Sequence, residues 1–420
     1  MEEWKTYKLK DICIKVTDGS HFSPEGIEDG YPMFSVKDML EYGFDYSKCK
    51  RISEIDFNKM KSSGCVPQKG DVLVAKDGSF LKQIFVCEET MDEAILSSIA
   101  IFRPDTSKVC PEYLCYLIKS PKVYDYISKN CVSGSALPRI VLKAFKEVEL
   151  DIPSLDMQKS IVARLKCIDD KIRINNRINH NLEEQAQALY KSWFVDFEPF
   201  KGGKFIQSRV GLIPETWAIQ RICDLPLYIS DYVSNGSFAS LKENVTLYET
   251  PNYAQFIRNT DLKCRQFSVW VDQKSYEYLA KSKLEGGEII ISNVGDVGSV
   301  HICPQLNTPM TLGNNVIMIK PLDNIYKYFI YMTFKWFHGK DLIKGITGGS
   351  AMPKFNKTDF KSLNLLIPDY STLCKFNSLV SNLFENTISL NSSNQRLSEI
   401  RDTLLPKLMS GELKINDLTC

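Results

Sequence analysis

Asp18-Gly19-Ser20-His21, Lys76-Asp77-Gly78 and Ser133-Gly134-Ser135, with Arg139 shortly after, are the stretches of the first half whose residue types could meet a ligand. The second half offers Ser234, Asn235 and Ser237 in one loop, then Arg258, Asn293, and Gly349-Ser350 with Lys354 beyond. Glycine and serine let backbone amides approach phosphate oxygens, and Lys76, Arg139, Arg258 and Lys354 could contact phosphate or a guanine edge. Taken singly, each of these cations has the plainer reading of a solvated surface charge. His21 fits a base or a phosphate contact, and equally a loop histidine bonding locally.

None of this is a catalytic constellation. The Gly202-Gly203-Lys204 fragment lacks the earlier glycine of a phosphate loop and follows no strand, and Gly295-Asp296-Val297-Gly298 opens no dinucleotide-binding helix. Four histidines, none in an HExxH spacing, give metal hydrolysis no support, and no metal site is expected. No Asn-Pro-Pro-Tyr run marks an adenine methyltransferase. The expectation is a non-catalytic binding protein without a cofactor of its own.

The elements that must position these loops come in two copies. Ile161, Leu165, Ile168, Ile172, Asn175, Asn179, Leu182, Ala186, Leu189 and Trp193 alternate steps of four and three, the a/d stripe of a helix packed along another helix. At an offset of 215 residues, Phe376, Val380, Leu383, Thr387, Leu390, Asn394, Leu397, Arg401, Leu404 and Leu408 repeat it. The offset also aligns Ser133–Arg139 with Gly348–Lys354 and Leu150–Pro153 with Leu365–Pro368. Two copies of one globular-domain-plus-helix unit follow. Either stripe could pair between chains, but the short linker favours antiparallel pairing within one chain. Asn179 and Asn394 occupy equivalent core positions and are expected to meet, or else to be solvated where the stripe frays. Before each helix the patterns predict mixed α/β structure: strands at Tyr31–Val36, Asp71–Ala75 and Ala94–Phe102, and a helix opened by Pro111.

The expected fold class is α+β, with two mixed α/β domains separated by two long helices that form an antiparallel coiled coil. The boundaries read as 1–153, first globular domain; 154–198, central helix; 199–210, linker; 211–368, second globular domain; 369–413, C-terminal helix; and 414–420, tail. With 44% apolar and 25% charged residues the composition is that of a soluble protein. No run is apolar enough for a membrane, and thirteen scattered cysteines fit a reducing cytoplasm. A net charge of +1 gives no overall basic surplus for nucleic acid. Residues 1–153 hold 21 Lys+Arg against 24 Asp+Glu, so any DNA-binding surface must be local.

Ala186-Gln187-Ala188-Leu189-Tyr190-Lys191-Ser192-Trp193-Phe194-Val195-Asp196-Phe197-Glu198-Pro199, followed by Gly211-Leu212-Ile213-Pro214-Glu215-Thr216-Trp217, resembles the central region of type I restriction–modification specificity subunits. Leu397 to Leu413 looks like the same family's C-terminal end. The resemblance spans the chain. It implies two target-recognition domains reading the halves of a bipartite double-stranded DNA sequence, with the helix pair as a ruler. It also implies partners: two modification (methyltransferase) subunits and two restriction (translocase/endonuclease) subunits, which would use S-adenosyl-methionine, ATP and magnesium. The recognition subunit of a stand-alone DNA adenine methyltransferase, or a protein scaffold without a DNA role, are the alternatives. Lys191-Ser192-Trp193 stands where the second copy has Pro406-Lys407-Leu408, so the helix ends are expected to differ.

Overall fold

The computed structural model describes residues 4–78, 80–134, 138–336, 338–349 and 351–413. The chain divides into two compact units, residues 1–174 with 393–420, and residues 175–392. Each unit therefore takes one globular lobe and a part of each long helix.

In the first unit β1 (Cys13–Asp18), β2 (Val72–Ala75), β3 (Ile84–Val86) and β4 (Ile99–Pro104) form an antiparallel sheet in the order β1-β4-β2-β3. All four side chains of β2 are buried, which is why its sequence is continuously apolar rather than alternating. Helix α1 (Pro111–Lys119) starts with Pro at its first turn and lays Tyr113, Leu114 and Leu117 into the sheet's core. A second, three-stranded sheet pairs Tyr31–Phe34 antiparallel with Lys50–Ile52 and parallel with Ala94–Ile95. Ala94–Phe102, expected as one strand, is thus split between two sheets. At the crossing Val36 N donates to Ser98 Oγ, and Lys76 N to the Ser98 carbonyl, so the chain turns there instead of extending. The lobe is closed at its base by Lys5–Lys8 against Glu149–Ile152, antiparallel, with Lys5 opposite Ile152.

Helix α2 (Leu155–Phe194) leaves this lobe anchored by the buried Gln158, whose amide donates to the carbonyls of Lys108 and Pro153 while its oxygen accepts from Cys110 N. No Gly or Pro interrupts its 40 residues. It stops before Phe197, which has φ +53°, and the segment expected as a linker carries structure of its own: Phe205–Ser208 pairs with Gly211–Pro214 in a hairpin.

The second unit repeats the plan. β5 (Leu227–Asp231), β6 (Ile289–Ser292), β7 (Val300–Ile302) and β8 (Val316–Pro321) give the order β5-β8-β6-β7, again antiparallel. Helix α3 (Ile325–Lys335) covers the sheet as α1 does in the first unit. The accessory sheet has grown to five strands around the parallel pair Ala254–Ile257 and Met310–Leu312. Ala218–Arg221 closes the base against Asn364–Ile367. Helix α4 (Tyr370–Ser410) begins with the Asp369 carboxylate accepting from Thr372 N and ends before Gly411, whose φ of +73° suits a helix stop. With 40 and 41 residues the long helices are nearly equal, despite their unlike final turns.

Within each unit the helix segments run antiparallel in one register. Asp169 meets Arg401 in the first unit; Asn179 meets Asn391, and Phe194 meets Phe376, in the second, and every pair of numbers adds to 570. Asn179 donates to Asn391 at 3.0 Å, so the bond falls three residues from the expected Asn394. Of the stripe, Ile161, Leu165, Ile172 and Val380 are buried, while Ile168, Asn179, Leu182, Leu189, Leu383, Leu390, Asn394, Leu397 and Leu404 are half-covered. A lobe supplies a third surface at several of the buried positions: Leu165, Leu405 and Leu408 join the core of α1, and Tyr190, Phe194 and Phe376 that of α3. Each such fully buried large side chain contributes roughly 1.5–3 kcal/mol.

Candidate nucleic-acid interface

In the first unit the loops gather at one end of the central sheet. Asp18 closes β1, and Gly19 packs so tightly on the Ile95 carbonyl that a Cβ would lie 2.3 Å from its oxygen. Ser20 bridges to Leu96 and its hydroxyl donates to the Phe22 carbonyl. Lys76-Asp77-Gly78 follows β2, and Asp77 pairs in a bridge with Arg139. Gly78 N donates to the Pro138 carbonyl and Ile140 N to that of Lys76. Ser133 faces Arg139 across a short ladder, with Gly134 at φ +90° beside it. Ser135 lies outside the described residues, as do Ser350 and the tail 414–420.

Charge is distributed unevenly over this cluster. Lys76 is buried, and its ammonium sits 2.5 Å from Asp18, committed to holding two loops together. His21, 75% exposed, reaches the same carboxylate at 3.5 Å. The Arg139 guanidinium lies 3.1 Å from Asp77 and stays 54% exposed, which leaves donors free for an incoming acceptor.

The second unit rebuilds the same frame with other side chains. Val294 pairs with Lys354 as Asp77 does with Arg139, Gly295 N donates to the Pro353 carbonyl, and Phe355 N to that of Asn293. Where the first unit has Lys76, Asn293 bonds the Phe355 carbonyl. The ammonium that neutralises the strand-end carboxylate comes instead from Lys357, which donates to Asp231 at 2.8 Å and also contacts Ser234. Sequence reasoning missed Lys357, since nothing local links it to an aspartate 126 residues away. Lys354 is exposed, Val294 opposite it has no charge, and among the described residues no carboxylate forms an ion pair with it.

The remaining candidates are engaged within the lobe. Asn235 bonds Tyr232, Ser282 and Lys281, and Ser237 accepts from Ser240 N as a helix cap. Arg258 is held by Asp261 through two guanidinium bonds of 2.9 and 2.7 Å, which raise its pKa above the ordinary value. Gly349 takes φ +91°. Asp296, Lys340, Lys344 and Thr347 line an open depression next to this cluster, a basic edge that the sequence patterns did not single out. Among the described residues no group of His, Cys, Asp and Glu is placed to hold a metal ion, and no helix is long and apolar enough to cross a membrane.

The two units thus present different loop side chains on one kind of frame. The chain belongs to the type I restriction–modification DNA specificity family, whose domain model matches residues 1–184 and 229–400. It is 31% identical to the type I restriction enzyme MjaIX specificity subunit of Methanocaldococcus jannaschii, over 99% of this chain and 95% of that one. Identity with the HindI specificity subunit of Haemophilus influenzae is 24%, over 98% and 100%. The fold is similar to that of the S subunit of a type I restriction–modification system from M. genitalium, with a TM-score of 0.55 at 16% identity, covering 97% of this chain and 96% of that one.

Proposed function

We propose that this chain is the non-catalytic DNA-reading subunit of a type I restriction–modification complex, each lobe recognising one half of a split duplex target. The observation that carries this reading is the pair of loop frames: Asp77/Arg139 and Val294/Lys354 occupy equivalent bridges, yet present different chemistry. A kept scaffold with altered loop residues is how a binding module changes what it reads. An exposed Arg139 suits bidentate contact to guanine or phosphate, and Lys354 a single-point contact.

The two long helices would set the spacer between half-sites; at ~1.5 Å per residue each is ~60 Å long. They would also dock two modification subunits, with two restriction subunits joining for cleavage. S-adenosyl-methionine, ATP and magnesium would be used by those partners. Selection of duplexes from a random pool by the chain reconstituted with its modification subunits tests the reading. Enrichment of a split motif is expected; enrichment of no split motif would overturn it.

A further inference from the structure

The loop that leaves the first strand of each central sheet presents an exposed phenyl ring. After β1 this is Phe22, 60% exposed, and after β5 it is Phe238, 80% exposed. Single exposed apolar residues are ordinary. Here the same loop of both lobes carries one, and in both the loop is anchored where the ring emerges. Phe22 N donates to Ser20 Oγ, and that hydroxyl donates back to the Phe22 carbonyl. Phe238 opens a helix capped by Ser237, after a turn pinned by three bonds of Asn235. The rings are thus presented by ordered backbone.

Lysines stand beside the first of these loops. The Lys59 ammonium stands 5.7 Å from the Phe22 ring, Lys50 bonds the adjacent Ser23, and His21 precedes it. Phe238 follows the Ser234 turn, which Lys357 grips while paired with Asp231. An exposed apolar ring on an anchored loop matches one chemistry well: the face of a stacked base. Apolar side chains of this kind wedge into base steps and partly unstack them.

We infer that Phe22 and Phe238 are base-stacking contacts, each pressing its ring against the bases of the half-site its lobe reads. The inference rests on the DNA-reading role proposed above. Each ring would add specificity by favouring half-sites with an easily opened step, such as a pyrimidine–purine step, without reading hydrogen-bond edges.

The test uses the full chain reconstituted with its modification subunits, and duplexes of the enriched split target with 2-aminopurine placed at successive positions. Phe22→Ala should abolish a fluorescence rise in one half-site and Phe238→Ala in the other, each weakening binding about five- to hundred-fold. Phe22→Trp and Phe238→Trp should retain both effects. Because the rings are solvent-exposed, the Ala variants should keep the wild-type melting temperature. Unchanged fluorescence and affinity in both Ala variants, with the split motif still enriched, would overturn the inference and leave the reading standing. Failure of the wild-type complex to enrich a split motif would overturn the reading itself.

Discussion

Asp169 and Arg401 lie 232 residues apart in sequence and 2.9 Å apart in space, and the hydroxyl of Tyr116 donates to the other oxygen of the same carboxylate at 2.6 Å. Both partners are largely covered, and burial beside Asp169 drives the Tyr116 phenol far above its ordinary pKa. One carboxylate therefore binds the lobe's helix α1 to both long helices of the first unit.

The internal repeat supplies an apolar alternative at the same site. The 215-residue offset maps Tyr116, Asp169 and Arg401 onto Tyr331, Phe384 and Ala186, and there Phe384 packs edge-on to Tyr331 and stacks on Tyr328 at 4.4 Å. Asp169→Ala or Arg401→Ala alone should lower stability by about 2–4 kcal/mol, since one buried charge loses its partner. The double variant Asp169→Phe/Arg401→Ala should recover most of that loss. Urea denaturation of all variants checks this; a double variant as unstable as the sum of its parts would refute the equivalence.

His301 makes the second lobe sensitive to acid. Burial, with Lys335 and Lys263 adding to it against Asp296, lowers its pKa from 6.5 to about 4, and its Nε2 lies 2.9 Å from Ser299 Oγ. Between these two values the unfolded state binds more protons, so stability should fall as pH drops from 6.5 toward 4. His301→Gln should flatten that part of the profile, measured as the denaturation midpoint against pH.

Arg139→Ala should weaken binding at one half-site by about 1–3 kcal/mol and relax its base preference if the contact is to a base, or reduce the salt slope by about one if to phosphate. Lys354→Ala should do the same for the other half-site. Competitive binding at two salt concentrations separates these outcomes, and unaltered affinity in both variants would remove the two residues from the interface.

Inserting about seven residues, or two turns, in both long helices at matched positions preserves their antiparallel register. The tolerated spacer should lengthen while both half-site sequences stay the same. Motif enrichment by the variant complex reads both quantities, and altered half-sites would end the ruler idea.

The repeat and the two long helices were legible in the sequence because each shows as a regular spacing of residues. What it hid depends on distant partners. Lys76 looked like a ligand contact because nothing nearby in sequence shows that Asp18, 58 residues earlier, lies against it. Lys357 went unnoticed for the converse reason. The heptad stripe placed Asn179 in the seam, but its bond goes to Asn391 because antiparallel stagger is set by side-chain packing along both helices. Ala94–Phe102 carried one apolar pattern, and only tertiary hydrogen bonds at Ser98 divide it.

The ladders that close the lobes have a consequence for how such chains change. Lys5–Lys8 lies beside Glu149–Ile152, and Ala218–Arg221 beside Asn364–Ile367, so the backbone enters and leaves each lobe side by side. A whole lobe can then be exchanged as a cassette at two adjacent strand positions, with the helix behind it undisturbed. New half-site combinations would follow from two neighbouring junctions per lobe, without redesign of any contact inside it.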